Sequence, residues 1–127
     1  MNKILTKIKR MKTENNETLK EIIIPELLSF VERNYKVTPK QIFGRSRKAK
    51  IAIIRSLLIL AIYENKYYNI SLKQVGRIFD NRDHSTILNA NKTATNLIQT
   101  DFESNETFKA INNEFEKLHY YYKKAIF

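Results

Sequence analysis

The feature that most constrains the fold of this chain is its shortage of residues that interrupt helices. Its 127 residues include two glycines and two prolines. Sheet-rich folds turn the chain often and use glycine and proline to do so, and this composition therefore favours long helices. The length suits one domain with a single modest core. We therefore predict an all-α fold, a compact helical bundle.

The chain is strongly basic and contains no cysteine. Lysine and arginine number 23 against 13 aspartate and glutamate residues, which gives a net charge of +10. Such a surplus favours a polyanionic partner, nucleic acid first and an anionic membrane surface second, with a merely soluble basic surface as the alternative. The lack of cysteine excludes disulfides and thiolate zinc ligands, and it fits a cytoplasmic location.

The most apolar stretch runs from Ile51 to Tyr63 and is interrupted by Arg55. A helix that crosses a membrane needs about 20 apolar residues, and this stretch has only about thirteen. The sequence therefore predicts a buried core helix over about 50–64 and no membrane contact.

The first part of the chain divides into an arm and the beginning of a helical domain. Residues 1–16 are rich in lysine and asparagine and are predicted to form a basic N-terminal arm, with a single helical domain over 17–127. Apolar residues then recur at helical spacing, but Pro25 suits a first turn better than a helix interior. Either a helix starts at Pro25 or a longer one kinks there. Residues 38–44 have the cap, first-turn proline and closing glycine of a short helix.

The segment after residue 70 has the outline of a helix-turn-helix. A capping box beginning at Ser71 opens one helix, and residues 80–81 are predicted to form a turn. A second helix is predicted over 83–98, with Ile87 and Leu88 facing inward. A helix, a short turn and a second helix with a polar start are the elements of this DNA-binding motif.

The C-terminal part of the chain predicts one further helix. It is expected over 105–124 with Ser104 as its cap. The tyrosines at 120–122 could stack on single-stranded bases, although such a cluster more often packs on its own domain or on a partner chain.

Five consecutive residues, 82–86, carry charged, imidazole or hydroxyl side chains, and they stand where the second helix of the motif begins. Aspartate, serine and threonine favour helix starts because their oxygens accept hydrogen bonds from the free N–H groups of the first turn. A helix-turn-helix protein presents this end of its second helix to base edges in the major groove. The cluster is therefore a candidate for reading DNA sequence.

The two signs of charge are separated along the chain. From Arg33 to Tyr63 there are eight lysines or arginines and no acid, whereas Asp101 to Leu118 holds five acids and two lysines. A basic stripe leading into a helix-turn-helix is what phosphate binding by one face requires. Its densest part is residues 45–50, where an arginine on a loop can enter a narrow minor groove.

The pattern Ser-Leu-x-x-Val-Gly-x-x-Phe-x-x-Arg-Asp-His-Ser-Thr-Ile-Leu-x-Ala, at residues 71–90, closely resembles the C-terminal DNA-binding domain of the DnaA chromosomal replication initiator family. The resemblance extends back through Arg45-Ser46-Arg47 and covers about residues 24–98. It implies a free-standing helix-turn-helix of the Trp-repressor kind that binds short asymmetric origin boxes.

The resemblance also implies roles for individual residues. Arg45 matches the arginine that enters the minor groove, and Arg47 matches a basic position suited to phosphate contact. Leu72 and Lys73 match positions near the phosphate backbone, and residues 83–86 match those that read bases in the major groove. The predicted DNA-binding set comprises Arg45, Arg47, Lys48, Lys50, Leu72, Lys73, Arg82, Asp83, His84, Ser85, Thr86 and Asn89.

Three departures from the family pattern limit what the resemblance implies. Asp80-Asn81 replaces the usual Gly-Gly turn and adds a negative charge close to the DNA. Asn89 replaces a histidine, and because asparagine commonly pairs with adenine, a shifted box preference is expected. The phosphate-cradling loop G-x-x-x-x-G-K-[ST] is missing from this sequence, and ATP-driven origin melting is therefore not carried over.

The sequence thus predicts a sequence-preferring, double-stranded DNA-binding protein of the cytoplasm and nucleoid that regulates replication initiation or transcription. The alternative is a protein-interaction module whose acidic, aromatic C-terminal helix binds an initiator or another replication protein. No enzyme activity, cofactor or metal is predicted, because the hydroxyls near His84 lie within one helix turn and no carboxylate with an oxyanion hole is indicated.

Overall fold

The computed structural model describes residues 15–126, with side chains described over 17–123. This part of the chain forms six helices and no strand, and the all-α prediction is confirmed. Helix α1 is continuous over three stretches, Asn15–Thr18, the π-helical turn Leu19–Ile23, and Ile24–Tyr35; it is followed by α2 (Pro39–Phe43), α3 (Ala49–Tyr63), α4 (Leu72–Ile78), α5 (His84–Thr100) and α6 (Phe102–Ile126). The predicted basic arm lies outside the described residues, apart from the first residues of α1.

Pro25 lies inside a longer helix, which is the second of the two alternatives left by the sequence. The backbone N–H of Ile24 donates to the carbonyl of Leu19, five residues back, and this bond belongs to the wide π turn. Proline has no N–H to donate and its ring crowds the carbonyl four residues earlier. The wide turn just before Pro25 relieves that conflict, and residues 22–24 are all buried.

Helix α3 is the centre of the core. It packs against α2, α4, α5 and α6, and residues 57–62 along it are all buried. A helix that is apolar on every side is expected at the centre of a protein, and the predicted core helix is confirmed. Within residues 15–126, no helix combines the length and the apolarity that a bilayer crossing requires.

The helix-turn-helix consists of α4, residues 79–83 and α5. Phe79, Val75 and Ile87 are fully buried between the two helices. Gly76 lies directly under the turn, where a Cβ atom would come within 2.0 Å of the Arg82 carbonyl oxygen. The Arg82 N–H donates to the Gly76 carbonyl at 2.9 Å, which ties the turn to α4. The glycine is required here by close approach.

The turn itself uses two residues in the left-handed conformation. The φ angles of Asp80 and Asn81 are 59° and 54°. Aspartate and asparagine are the non-glycine residues that adopt this conformation most readily, and they can therefore replace a Gly-Gly turn. The predicted turn is confirmed.

Two details of α5 and α6 differ from the sequence prediction. Leu88 is 41% exposed, because the inward stripe of α5 runs from Ile87 to Asn91 and Ala94. One residue corresponds to about 100° of helix rotation, and the pair Ile87-Leu88 could not both face the core.

The cap of α6 is Asp101 and not Ser104. The Ser104 N–H and hydroxyl both donate to Asp101 Oδ2, at 3.1 and 2.6 Å. The helix therefore begins at Phe102, three residues earlier than predicted. A carboxylate is the stronger acceptor for the free N–H groups of a first turn, and it precedes Ser104 by three residues.

Candidate nucleic-acid interface

The first turn of α5 exposes the side chains that the sequence singled out. Asp83 has an extended backbone, and its Oδ1 accepts from the Ser85 N–H at 2.7 Å, which makes it the N-cap. His84 lies beside it, with Nδ1 3.6 Å from the same carboxylate oxygen. Residues 83–86 are all exposed, and so is Asn89, one turn further along. These side chains are available to a ligand approaching the N-terminus of the helix.

The N-terminus of α4 forms the other wall of an open groove. Ser71 and Gln74 make the predicted capping box, in which each side chain accepts from the backbone N–H of the other residue. Lys73 is exposed and Leu72 is half-buried, and both line a groove that reaches His84. The groove therefore brings together two parts of the predicted DNA-binding set.

Arg77 lines the same groove, although the sequence prediction omitted it. It is exposed and lies one helical turn after Lys73 on α4. The spacing of four residues was the available signal, because residues i and i+4 share one helix face.

The loop between α2 and α3, together with the first turn of α3, carries the other predicted contacts. Arg45, Arg47, Lys48 and Lys50 are all exposed. The Arg45 Nη2 atom donates to the Asp80 carbonyl at 3.2 Å and lies 3.4 Å from Asp80 Oδ2. This contact joins the basic loop to the turn before α5, across 35 residues of sequence.

Arg55 holds the basic loop in place. From its position on α3, it donates to the carbonyls of Ile42, Ser46 and Gln41 at 2.7, 3.1 and 2.9 Å. Burial and the neighbouring Arg45 charge lower the pKa of the guanidinium. Its donors are engaged with the backbone, and Arg55 therefore acts on the interface by fixing the loop that carries Arg45.

Arg82, a member of the predicted DNA-binding set, has the same structural role. Its guanidinium donates to the carbonyls of Phe79 at 2.9 Å, Phe43 at 3.4 Å and Gly44. Burial, followed by the charges of Arg55 and Arg45, lowers its pKa. An arginine bound to three carbonyls between the loop and the turn supports the interface in this structure, and its contact with DNA stays a prediction.

The second histidine belongs to an aromatic cluster on the other side of the core. The His119 ring stacks on Tyr67 with centroids 3.9 Å apart, and its Nδ1 lies 3.2 Å from the Tyr68 hydroxyl. Tyr122 is buried and Tyr120 packs on Tyr67, so that two of the three C-terminal tyrosines pack on their own domain. Over residues 17–123, no group of three or more acidic, histidine or cysteine side chains is placed to hold a metal ion.

Comparison with known proteins agrees with this geometry. The family model described as the bacterial dnaA protein helix-turn-helix matches residues 24–93, which is more than half of the chain. The chain belongs to the DnaA helix-turn-helix family. This is a family of non-catalytic DNA-binding domains from the machinery of replication initiation.

Curated DnaA relatives extend the match. The chain is 32% identical over 79 residues to the chromosomal replication initiator protein DnaA of Clavibacter sepedonicus, covering 61% of this chain and 16% of the relative. It is 30% identical over 105 residues to DnaA of Bacteroides thetaiotaomicron, covering 82% of this chain and 21% of the relative. The chain thus spans about a fifth or less of the length of these DnaA proteins. No solved structure matches the chain.

Proposed function

We propose that this chain binds double-stranded DNA with sequence preference at initiator-type boxes. The first turn of α5 enters the major groove, where Asp83, His84, Ser85 and Thr86 face the bases, and Arg45 enters the adjacent minor groove. The observation that supports this proposal is that Arg45 lies beside Asp80, in the turn that leads into α5, so that the two proposed reading elements are neighbours. A major-groove helix and a minor-groove arginine can then read one box together.

The charges at the helix ends support phosphate binding on the same surface. Helices α3 and α4 have no acidic residue in their first turns, and α3 begins between Lys48 and Lys50. Cations at the positive end of a helix are unfavourable for folding, whereas an anion there is favourable. Phosphates are therefore suited to Lys48, Lys50 and Arg47, and to Lys73 and Arg77 at α4.

The biological use that fits these features is regulation of replication initiation or transcription on the nucleoid. We infer that the chain occupies initiator-type boxes and thereby competes with an initiator for them. A protein-interaction role for acidic α6 is the alternative. Tyr120 and Tyr121 on α6 are exposed, which favours that alternative. A DNA-binding assay distinguishes the protein-interaction role from box binding.

Fluorescence anisotropy with short labelled duplexes tests the proposal. One duplex carries an origin box of a DnaA relative, and the other carries the same bases in scrambled order. Arg45→Ala and His84→Ala should each weaken box binding by about 1–3 kcal/mol. Lys117→Ala, which removes one positive charge from an exposed position on α6, is the matched control and should change the affinity less than about twofold.

The salt dependence of binding adds a count of phosphate contacts, because each contact releases counterions. Replacing Lys48 should therefore reduce the salt slope without changing the preferred duplex. Equal affinity for the two duplexes, or no binding at low salt, would contradict the proposal and leave the protein-interaction role.

A further inference from the structure

Asp80 occupies the DNA-facing end of Arg45 in the free protein. A single terminal nitrogen of the guanidinium, Nη2, contacts both the carboxylate and the backbone carbonyl of Asp80, at 3.4 and 3.2 Å. The side chains are 63% and 61% exposed, and the pair therefore lies on the surface and not inside the fold. Arg45 thus has an anionic partner before any DNA arrives.

The part of Arg45 that is engaged decides how Asp80 acts. A partner that merely orients an arginine leaves the terminal nitrogens free, because these form the planar fork that a ligand uses. Here a terminal nitrogen is itself engaged. A groove contact that uses Nη2 therefore competes with Asp80 for that nitrogen, whereas Nη1 and Nε carry the other N–H donors of the guanidinium.

We propose that Asp80 is a positioning residue that holds Arg45 away from DNA and lowers the affinity for the box. This inference rests on the proposed function. When Arg45 enters the minor groove, it must exchange the Asp80 carboxylate for the groove. The free energy gained from the contact between Arg45 and DNA is then reduced by the free energy of the ion pair with Asp80 that is lost.

The left-handed backbone at Asp80 makes a clean test possible. Asparagine tolerates the φ of 59° and keeps the size of the side chain while removing the charge. In anisotropy at low salt, Asp80→Asn should bind the box duplex about two- to fivefold more tightly than wild type, as expected for removal of an exposed ion pair. The difference in affinity between Asp80→Asn and the wild type should decrease as the salt concentration rises, because exposed charges are screened.

A double-mutant cycle shows whether Asp80 acts through Arg45. In the Arg45→Ala background, Asp80→Asn should give little or no gain. Glu103→Gln is the matched control, because it removes the same charge near the far end of the 17-residue α5, about 25 Å along that helix from the turn. It should leave the affinity unchanged within about twofold.

Each result decides the proposal. Tighter binding that depends on Arg45 and fades with salt supports it. Weaker or unchanged binding of Asp80→Asn overturns it, and an equal gain in the Arg45→Ala background overturns it in favour of simple repulsion between Asp80 and DNA. If Asp80→Asn unfolds, Asp80→Gly repeats the test. If the wild type shows no preference for the box duplex, the proposed function is refuted. If the wild type prefers the box duplex but Asp80→Asn does not bind it more tightly, this inference alone is refuted.

Discussion

The close approach at Gly76 predicts that a single methyl group will destabilise the helix-turn-helix. In Gly76→Ala, the new Cβ would lie 2.0 Å from the Arg82 carbonyl oxygen, whereas ordinary contacts begin at 3.4 Å. The turn must therefore move away from α4 by more than 1 Å. That movement stretches the 2.9 Å hydrogen bond from the Arg82 N–H to the Gly76 carbonyl. It also disturbs the Arg82 guanidinium, which holds the basic loop.

The expected magnitude follows from three contributions. Overpacking costs about 1–3 kcal/mol and the lost hydrogen bond about 1 kcal/mol, while alanine regains about 1 kcal/mol over glycine within a helix. The free energy of unfolding should therefore fall by about 2 kcal/mol. Urea denaturation followed by circular dichroism measures this difference.

Gly44→Ala is the matched control for Gly76→Ala. Its Cβ would meet the Lys40 carbonyl at 3.0 Å, and the φ of −76° is open to alanine. In Gly44→Ala, the free energy of unfolding should fall by no more than about 1 kcal/mol. If Gly76→Ala were as stable as the wild type, this result would contradict the described close approach between α4 and the turn. It would also contradict the geometry of the interface that depends on this approach.

Three further predictions concern stability. Arg82→Ala should lower the free energy of unfolding by about 2 kcal/mol in urea titration, because partly buried carbonyls lose their donor; an unchanged midpoint would contradict the supporting role of Arg82. Leu88→Ala should lower the free energy of unfolding by less than about 0.5 kcal/mol, whereas Ile87→Ala should lower it by about 2–5 kcal/mol. If Leu88→Ala were the more destabilising of the two, the described buried face of α5 would be contradicted. Burial and the charge of Lys123 lower the pKa of His119, so the unfolded chain binds a proton that the folded chain refuses. Stability should therefore decrease as pH falls below about 6.5, and this part of the pH dependence should be absent in His119→Gln.

The starts of α2, α4 and α5 were predictable because the hydrogen bonds that cap them are local. The capping boxes at Thr38 and Ser71 each join residues three positions apart, and the N-cap of α5 joins Asp83 to Ser85. A short sequence window contains both partners in each case. The same is true of the turn, where two residues that tolerate the left-handed conformation stand together.

The partners of the arginines were not predictable, because they lie far apart in sequence. Arg82 donates to carbonyls 38 and 39 residues away, and Arg45 meets Asp80 across 35 residues. Charge patterning showed that the region was basic, but it could not separate a guanidinium bound to backbone from one exposed to solvent. That distinction gives Arg82 a supporting role for the loop in the structure, while its predicted contact with DNA stays a prediction.

Selection from a pool of random duplexes tests the central claim most directly. The wild-type chain should enrich one short asymmetric box, and His84→Ala should relax the preference at a single position while the rest of the box persists. Asn89→His should change the preference at a different position. Recovery of no common sequence by the wild type, or of the same box to the same degree by His84→Ala, would contradict the claim that the first turn of α5 reads bases.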